Sequence, residues 1–329
     1  MVNTPPPDGA DAPGSGAPGA PGASVGAIVP EVVDDPLLEP DEGHDLDAPI
    51  PSALRPASDL ERLEIDLILE AIYRHYGFDF RNYARASMRR RLWNQVRAEK
   101  LTTIAGLLDR VLHDVDCMER LLLMLSVNVT AMYRDPTFFR AFREQVVPLL
   151  RSHPFVRIWH AGCSTGEEVY SMAILLEEEG LYNRCRLYAT DMNEAVLRRA
   201  QAGIFPIEVM QEYTANYLRS GAKEHFARYY TARYGHAIFK QPLRRNIVFS
   251  HHNLVTDGSF NEFHVIICRN VMIYFNEQLQ ARVHELFYDS LRRFGVLALG
   301  RKESLSGTPH QHDYDEINPA EKLYRRRGV

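Results

Sequence analysis

The fold class shows first in Val156-Arg157-Ile158-Trp159-His160-Ala161-Gly162-Cys163-Ser164-Thr165-Gly166-Glu167-Glu168. Val156 to Trp159 reads as a short strand, and a glycine-bearing turn and a helical stretch follow it. The same succession recurs downstream. Arg186-Leu187-Tyr188-Ala189-Thr190 is a second strand, with a helix from Asn193 to Ala200 behind it. His264-Val265-Ile266-Ile267-Cys268 is a further strand, followed by a helix through Gln278 to Phe287, and Val296-Leu297-Ala298-Leu299 is another. Strands alternating with helices predict an α/β fold with a mostly parallel, doubly wound sheet. One stretch interrupts the alternation. From Ala227 to Ser250 the chain is rich in Tyr, Phe, Ile and Arg, with turns at Tyr234-Gly235 and Gln241-Pro242. That predicts a small antiparallel β unit inserted over about 227–250.

Upstream of Val156 the pattern is helical from Ser58 to about Leu150, with Leu60, Leu63, Leu67 and Ile68 at helical spacing. The expected organisation is a helical domain over 58–145 and an α/β domain over 146–329. Residues 1–57 are dominated by Pro, Gly, Ala and Asp, with no helical or strand period. Such a tail buries too little apolar surface to offset its ordering entropy, so disorder is expected there.

Bulk properties narrow the function. The 329 residues carry a formal charge of -5, which argues against a general nucleic-acid binder. The 4 cysteines, Cys117, Cys163, Cys185 and Cys268, are far apart and form no CxxC pair. They suit a reducing cytoplasm better than a disulfide framework or a zinc site. His251-His252 and the pair His310 and His312 have no partner spaced to complete a metal site. No apolar run approaches the ~20 residues of a membrane helix, and the N-terminus lacks the order of a secretory signal. The sequence reads as a soluble cytoplasmic protein.

The turn after the first strand carries the chemistry. Its glycines let a ligand approach the backbone, but the spacing is not the dinucleotide G-x-G-x-x-G. Glu167 and Glu168 directly after the glycines would repel a phosphate. They would suit a cation, such as the amino group and sulfonium of S-adenosylmethionine. They would equally stabilise a helix N-terminus through its dipole. Asp191 ends the second strand, where a carboxylate can accept both ribose hydroxyls of an adenosine or can cap the next helix.

Three further stretches make the reading specific. Ser126-Val127-Asn128-Val129-Thr130-Ala131-Met132-Tyr133-Arg134, Gly162 to Glu168 with Asp191, and Cys268-Arg269-Asn270-Val271-Met272-Ile273-Tyr274-Phe275 follow one another in this order. Together they resemble the CheR family of chemoreceptor glutamate methyltransferases, from about Leu60 to the C-terminus. The resemblance implies a Rossmann-like S-adenosylmethionine-dependent methyltransferase sheet behind a helical receptor-recognition domain. It also implies S-adenosylmethionine as cofactor and S-adenosylhomocysteine as product. By the same resemblance Asn128, Thr130 and Glu168 approach the cofactor, with Asp191 on the ribose and Asn253-Leu254 near the adenine. Arg134, Arg269 and Asn270 are implied as further cofactor contacts, and Arg134 and Tyr274 as the residues at the methyl-transfer point. The family often shows Gly-His-Ser-Glu after the fifth strand, where this chain has Gly300-Arg301-Lys302-Glu303. The inserted unit looks shorter than in members that dock a receptor's C-terminal peptide, so no dependence on such a tether is expected.

The acceptor in that family is a carboxylate on an acidic receptor helix. Tyr83 to Lys100 is strongly basic. As a helix it would gather Ala84, Met88, Leu92 and Val96 into an apolar stripe and set Arg90 and Arg97 on the opposite face. A basic face there can steer an acidic helix, although a merely solvated face has the same composition. Two other functions fit parts of the pattern: a catalytically idle module that binds S-adenosylmethionine or S-adenosylhomocysteine, and another enzyme on a similar sheet. Arg134, Asp191 and Tyr274 speak against the first. The glycine spacing and the helical domain speak against the second.

Overall fold

The computed structural model describes residues 58–126 and 129–328. The disorder expected of residues 1–57 and the cofactor contact expected of Asn128 fall outside the described residues.

The leading helices are Ser58–Tyr76 (α1), Arg85–Ala98 (α2), Ile104–His113 (α3) and Val115–Leu125 (α4). Thr103 and Asp114 start the last two, their side chains accepting from the amides of Gly106 and Cys117. Pro136–Ala141 (α5) continues through a π-helical turn, Phe142–Val146, into Val147–Leu150 (α6). Then the alternation begins: Val156–Ala161 (β1), Glu167–Glu178 (α7), Cys185–Asp191 (β2) and Glu194–Ala202 (α8). Ile204–Pro206 (β3), Met210–Arg219 (α9), Tyr230–Arg233 (β4), His236–Phe239 (β5) and the short Gln241–Arg244 (α10) come next. Ile247–His251 (β6), Phe263–Cys268 (β7), Glu277–Ser290 (α11), Leu291–Leu299 (β8), Tyr314–Asn318 (β9) and Leu323–Arg326 (β10) complete the order.

Among the described residues the main sheet has seven strands in the order β6-β2-β1-β7-β8-β10-β9. Pairing is parallel from β6 through β8 and antiparallel at β10 and β9. The central strands are apolar on both faces, as a sheet covered on both sides requires. Along β7, Val265 and Ile267 join a core shared with α5, α6, α7 and the insert. Phe263, Ile266 and Cys268 join the core shared with α1 to α4 and α11. The leading helices therefore pack directly on the sheet, through one continuous apolar cluster.

The inserted antiparallel sheet differs from the expected 227–250. Its order is β3-β5-β4, so it begins at Ile204, and Ile247–His251 is not part of it. Pro242 lies in the first turn of α10, which reverses the chain and delivers β6 parallel to β2. β3 has only three residues, too few to show a period of two.

The segment after β8 is fastened to α11 by His310. Its ring stacks on Tyr288 with centroids 3.7 Å apart. It donates to Asp313 and Glu285, both at 2.8 Å. Burial pushes the imidazole pKa down, but the two carboxylates outweigh it, and the net direction is up. A His whose folded pKa is raised contributes stability that is complete below its unfolded value of about 6.5 and lost as pH rises through the folded value. Thermal unfolding followed from mildly acid to mildly alkaline pH should show this loss in the wild type. The loss should flatten in His310→Asn, and identical pH slopes in the two proteins would refute the assignment.

Candidate active site

The C-terminal ends of β1, β2 and β7 open onto a cleft. Ligands bind at that end of an open α/β sheet because the strand order reverses there and leaves a crevice. Thr130, Arg134, Glu168, Asp191, Asn253, Leu254, Arg269, Asn270 and Tyr274 all line this cleft. Arg90 and Arg97 do not. Arg90 is exposed on α2, whereas Arg97 is half-buried. The exposed position expected for Arg97 is corrected by its guanidinium, which folds back along the helix to Trp93 O and Asn94 Oδ1.

The turn after β1 is not an anion cradle. The amides of Gly162 and Cys163 both donate to Thr190 O at 2.9 Å, and Ser164 N donates to Asp191 Oδ2 at 2.9 Å. These three amides are thereby unavailable to a pyrophosphate. Gly162 is required by sterics: at φ +78°, a Cβ there would stand 2.6 Å from Val271 Cγ2.

The two acids after the turn have separate surroundings. Glu167 points behind the turn, where Thr165 Oγ1 and Tyr213 OH donate to it, and burial pushes its carboxyl up to about 6. Glu168 faces the cleft. Burial pushes its pKa up, but contacts with His160 at 3.0 Å and Arg269 at 3.1 Å hold it below the usual carboxylate range. Asp191 also faces the cleft, accepting from Ser164 N and Asn193 N, and its burial raises it above an ordinary aspartate. Two carboxylates with remaining lone pairs fit a ligand with hydroxyls and a positive charge.

Arg269 is not an open cation. Its guanidinium bridges Glu168 and Asp135, the latter at 2.7 Å, and lies 4.0 Å over the Phe138 ring. That geometry makes it a positioning residue for Glu168. Arg134 is the opposite case. It is exposed at the rim, donates to Val129 O, and has no carboxylate partner among the described residues. Tyr133 and Asp135 on either side of it both have left-handed backbone, at φ 52° and 55°. Ser164 and Asn270 are left-handed too, at 49° and 61°. Each such non-glycine residue costs of order 1–3 kcal/mol, a cost tolerated where the surroundings over-determine the geometry.

Sequence reasoning misses residues that arrive from a distance. Glu303 accepts from the amides of Gly300, Asn270, Val271 and Met272, at 2.6 to 3.1 Å, and so shapes the loop that carries Asn270 and Tyr274. Arg91 stands 4.9 Å over the Tyr274 ring and caps α4 by donating to Met124 O. Ala84 N donates to Tyr274 O at 2.7 Å, which ties the leading helices to the same loop. His160 shows one available signal, its place at the end of the first strand, two residues before Gly162.

Comparison with known proteins agrees with this geometry. A family model described as CheR methyltransferase, SAM binding domain, matches residues 128–319. One described as CheR methyltransferase, all-alpha domain, matches residues 63–126. The protein Cher3 of Pseudomonas putida is 47% identical over 264 residues, which span 80% of this chain and 97% of that protein. The chemotaxis protein methyltransferase of Listeria innocua is 31% identical over 236 residues, 71% of this chain and 87% of its own. That of Salmonella typhimurium is 29% identical over 246 residues, 73% of this chain and 83% of its own.

Proposed function

The chain belongs to the CheR methyltransferase family, and from that premise we propose that it esterifies glutamate side chains on the signalling domains of chemoreceptors. The observation that carries this reading is the division of charge in the cleft. Glu168 and Asp191 are carboxylates turned toward its interior, and Arg134 is a cation exposed at its rim. The first pair suits a cationic nucleoside, and the second suits an anionic acceptor.

Bound there, S-adenosylmethionine supplies an electrophilic methyl group on a sulfonium. Asp191 would hold the ribose hydroxyls, Glu168 the amino-acid ammonium, Asn253 and Leu254 the adenine end, and Thr130 and Asn270 the flanks. The acceptor carboxylate is anionic at neutral pH, so the site needs no general base. Methyl transfer consumes a positive and a negative charge, and water therefore favours the reactants over the transition state. The protein's contribution is alignment, together with replacement of water by a fixed environment. Arg134 would orient the acceptor through a charge-assisted pair, and the Tyr274 hydroxyl would fix its second oxygen. An Arg that bound the acceptor equally in ground and transition states would add nothing to the rate, so its role is orientation.

Arg90 and Arg97 on α2 would meet the acidic receptor helix, with Arg90 the more accessible of the two. Recognition would proceed without a C-terminal receptor peptide. A cytoplasmic location fits free, buried cysteines and the lack, among the described residues, of a helix long and apolar enough to cross a membrane.

Arg134→Ala should lower kcat about a hundredfold while leaving the Kd for S-adenosylhomocysteine within about twofold. Tandem mass spectrometry of the methylated receptor fragment should find the added methyl on glutamate. Methyl groups on lysine or arginine would sink the acceptor assignment. Parallel loss of cofactor affinity in Arg134→Ala would sink the role given to Arg134.

A further inference from the structure

The structure assigns Arg301, one of the basic residues that depart from the family's usual Gly-His-Ser-Glu, as a positioning residue that holds the Tyr133–Thr137 turn and through it the Arg134 side chain. The inference rests on the role proposed above for Arg134. Arg301 lies just past β8, yet its guanidinium crosses to the start of α5. It donates to Thr137 Oγ1 at 2.6 Å, and its third nitrogen stands 4.0 Å from Asp135. The Nη2 that holds Thr137 also donates to Oε1 of Glu321, between β9 and β10, at 2.8 Å, and Nε donates to Glu321 Oε2 at 3.3 Å. Glu321 is itself buried, and its amide is held by Asn318 Oδ1 at 3.0 Å.

The turn needs such a brace. Tyr133 and Asp135 are both left-handed; an Asp tolerates that backbone, but a bulky Tyr needs support to hold it. The inner side of the turn is held by Arg269 on Asp135 and by Ser171 Oγ, which accepts from Tyr133 N at 2.9 Å. Arg301 supplies the outer brace, from an element far away in sequence. The planar fork matters beyond the charge, because Nε adds a second bond to Glu321 and Nη1 faces Asp135 while Nη2 holds Thr137, and an ammonium is a single point.

Hydrogen exchange on the full chain tests this directly. Arg301→Ala should speed exchange of the Tyr133, Arg134 and Phe138 amides by about tenfold, with the β1 and β7 amides unchanged. Glu321→Gln should reproduce the effect, and Arg301→Lys should restore it only in part. The same variants should lose about tenfold in kcat with KM for the cofactor unchanged. Unchanged exchange at the turn overturns the inference, and so does faster exchange spread equally over β1 and β7. A wild type that transfers no methyl to receptors, but shows the local exchange effect in Arg301→Ala, leaves the brace standing and fails the functional reading instead.

Discussion

Asp191→Ala should weaken S-adenosylhomocysteine binding by about a hundredfold or more. A hydrogen bond to a charged group contributes about 1.5–3 kcal/mol net, and the carboxylate is proposed to take both ribose hydroxyls. Two such bonds lost, at about 1.4 kcal/mol per factor of ten, give a loss between ~100-fold and ~20,000-fold. The substitution also strips Ser164 N and Asn193 N of their acceptor, so the glycine turn loses its link to the end of β2. Asp191→Asn keeps the shape and one carbonyl oxygen, and should fall between the alanine variant and wild type. Because burial raises the Asp191 pKa, cofactor binding should weaken on acidification at a higher pH than an ordinary aspartate would cause. Isothermal titration of S-adenosylhomocysteine measures all three. An affinity in Asp191→Ala within tenfold of wild type would remove Asp191 from the ribose.

Glu303→Ala should cause the largest loss of stability. The buried carboxylate collects the amides of Gly300, Asn270, Val271 and Met272, and nothing else in the loop offers them an acceptor. Leaving a buried amide unsatisfied costs about 1–3 kcal/mol, and partial relaxation brings the sum to about 4 kcal/mol. For a chain of this size that is roughly a 10 °C fall in Tm. Activity should fall even at temperatures where the variant is folded, since the same loop leads into Tyr274. Glutamine is a poor rescue, because its NH2 group would face donors. Calorimetry showing a shift below about 2 °C would mean that solvent satisfies these amides.

The sequence makes the catalytic end of the sheet legible because its features are local. A strand, a glycine turn and a helix in immediate succession announce β1 and α7, and Asp191 is visible simply as the acid that ends the next strand. What resists reading is whatever the fold assembles from a distance. β3 is too short to carry a period, and β6 carries the same apolar alternation whether it pairs parallel or antiparallel. Its direction is set by α10 and the open edge of β2, which only the fold supplies. Arg97 belongs on the exposed face by helical geometry, but a long side chain can fold back onto its own helix, and it does. Arg269 stands out within its motif and lines the cleft, but its partners Glu168 and Asp135 are 101 and 134 positions away in sequence. The Gly300-Arg301-Lys302-Glu303 stretch draws attention through its basic pair. Its final acid is the residue the loop depends on, and the spacing of three from Gly300 is the signal for it.

The most direct test of the central claim is the alkali lability of transferred methyl groups. The full chain would be incubated with methyl-labelled S-adenosylmethionine and chemoreceptor signalling domains, and the protein-bound label followed in mild alkali. Carboxyl methyl esters hydrolyse there and N-methyl groups do not. Label that enters the receptor, is released by alkali, and is lost with Arg134→Ala is the predicted result. Label that survives alkali would contradict glutamate esterification.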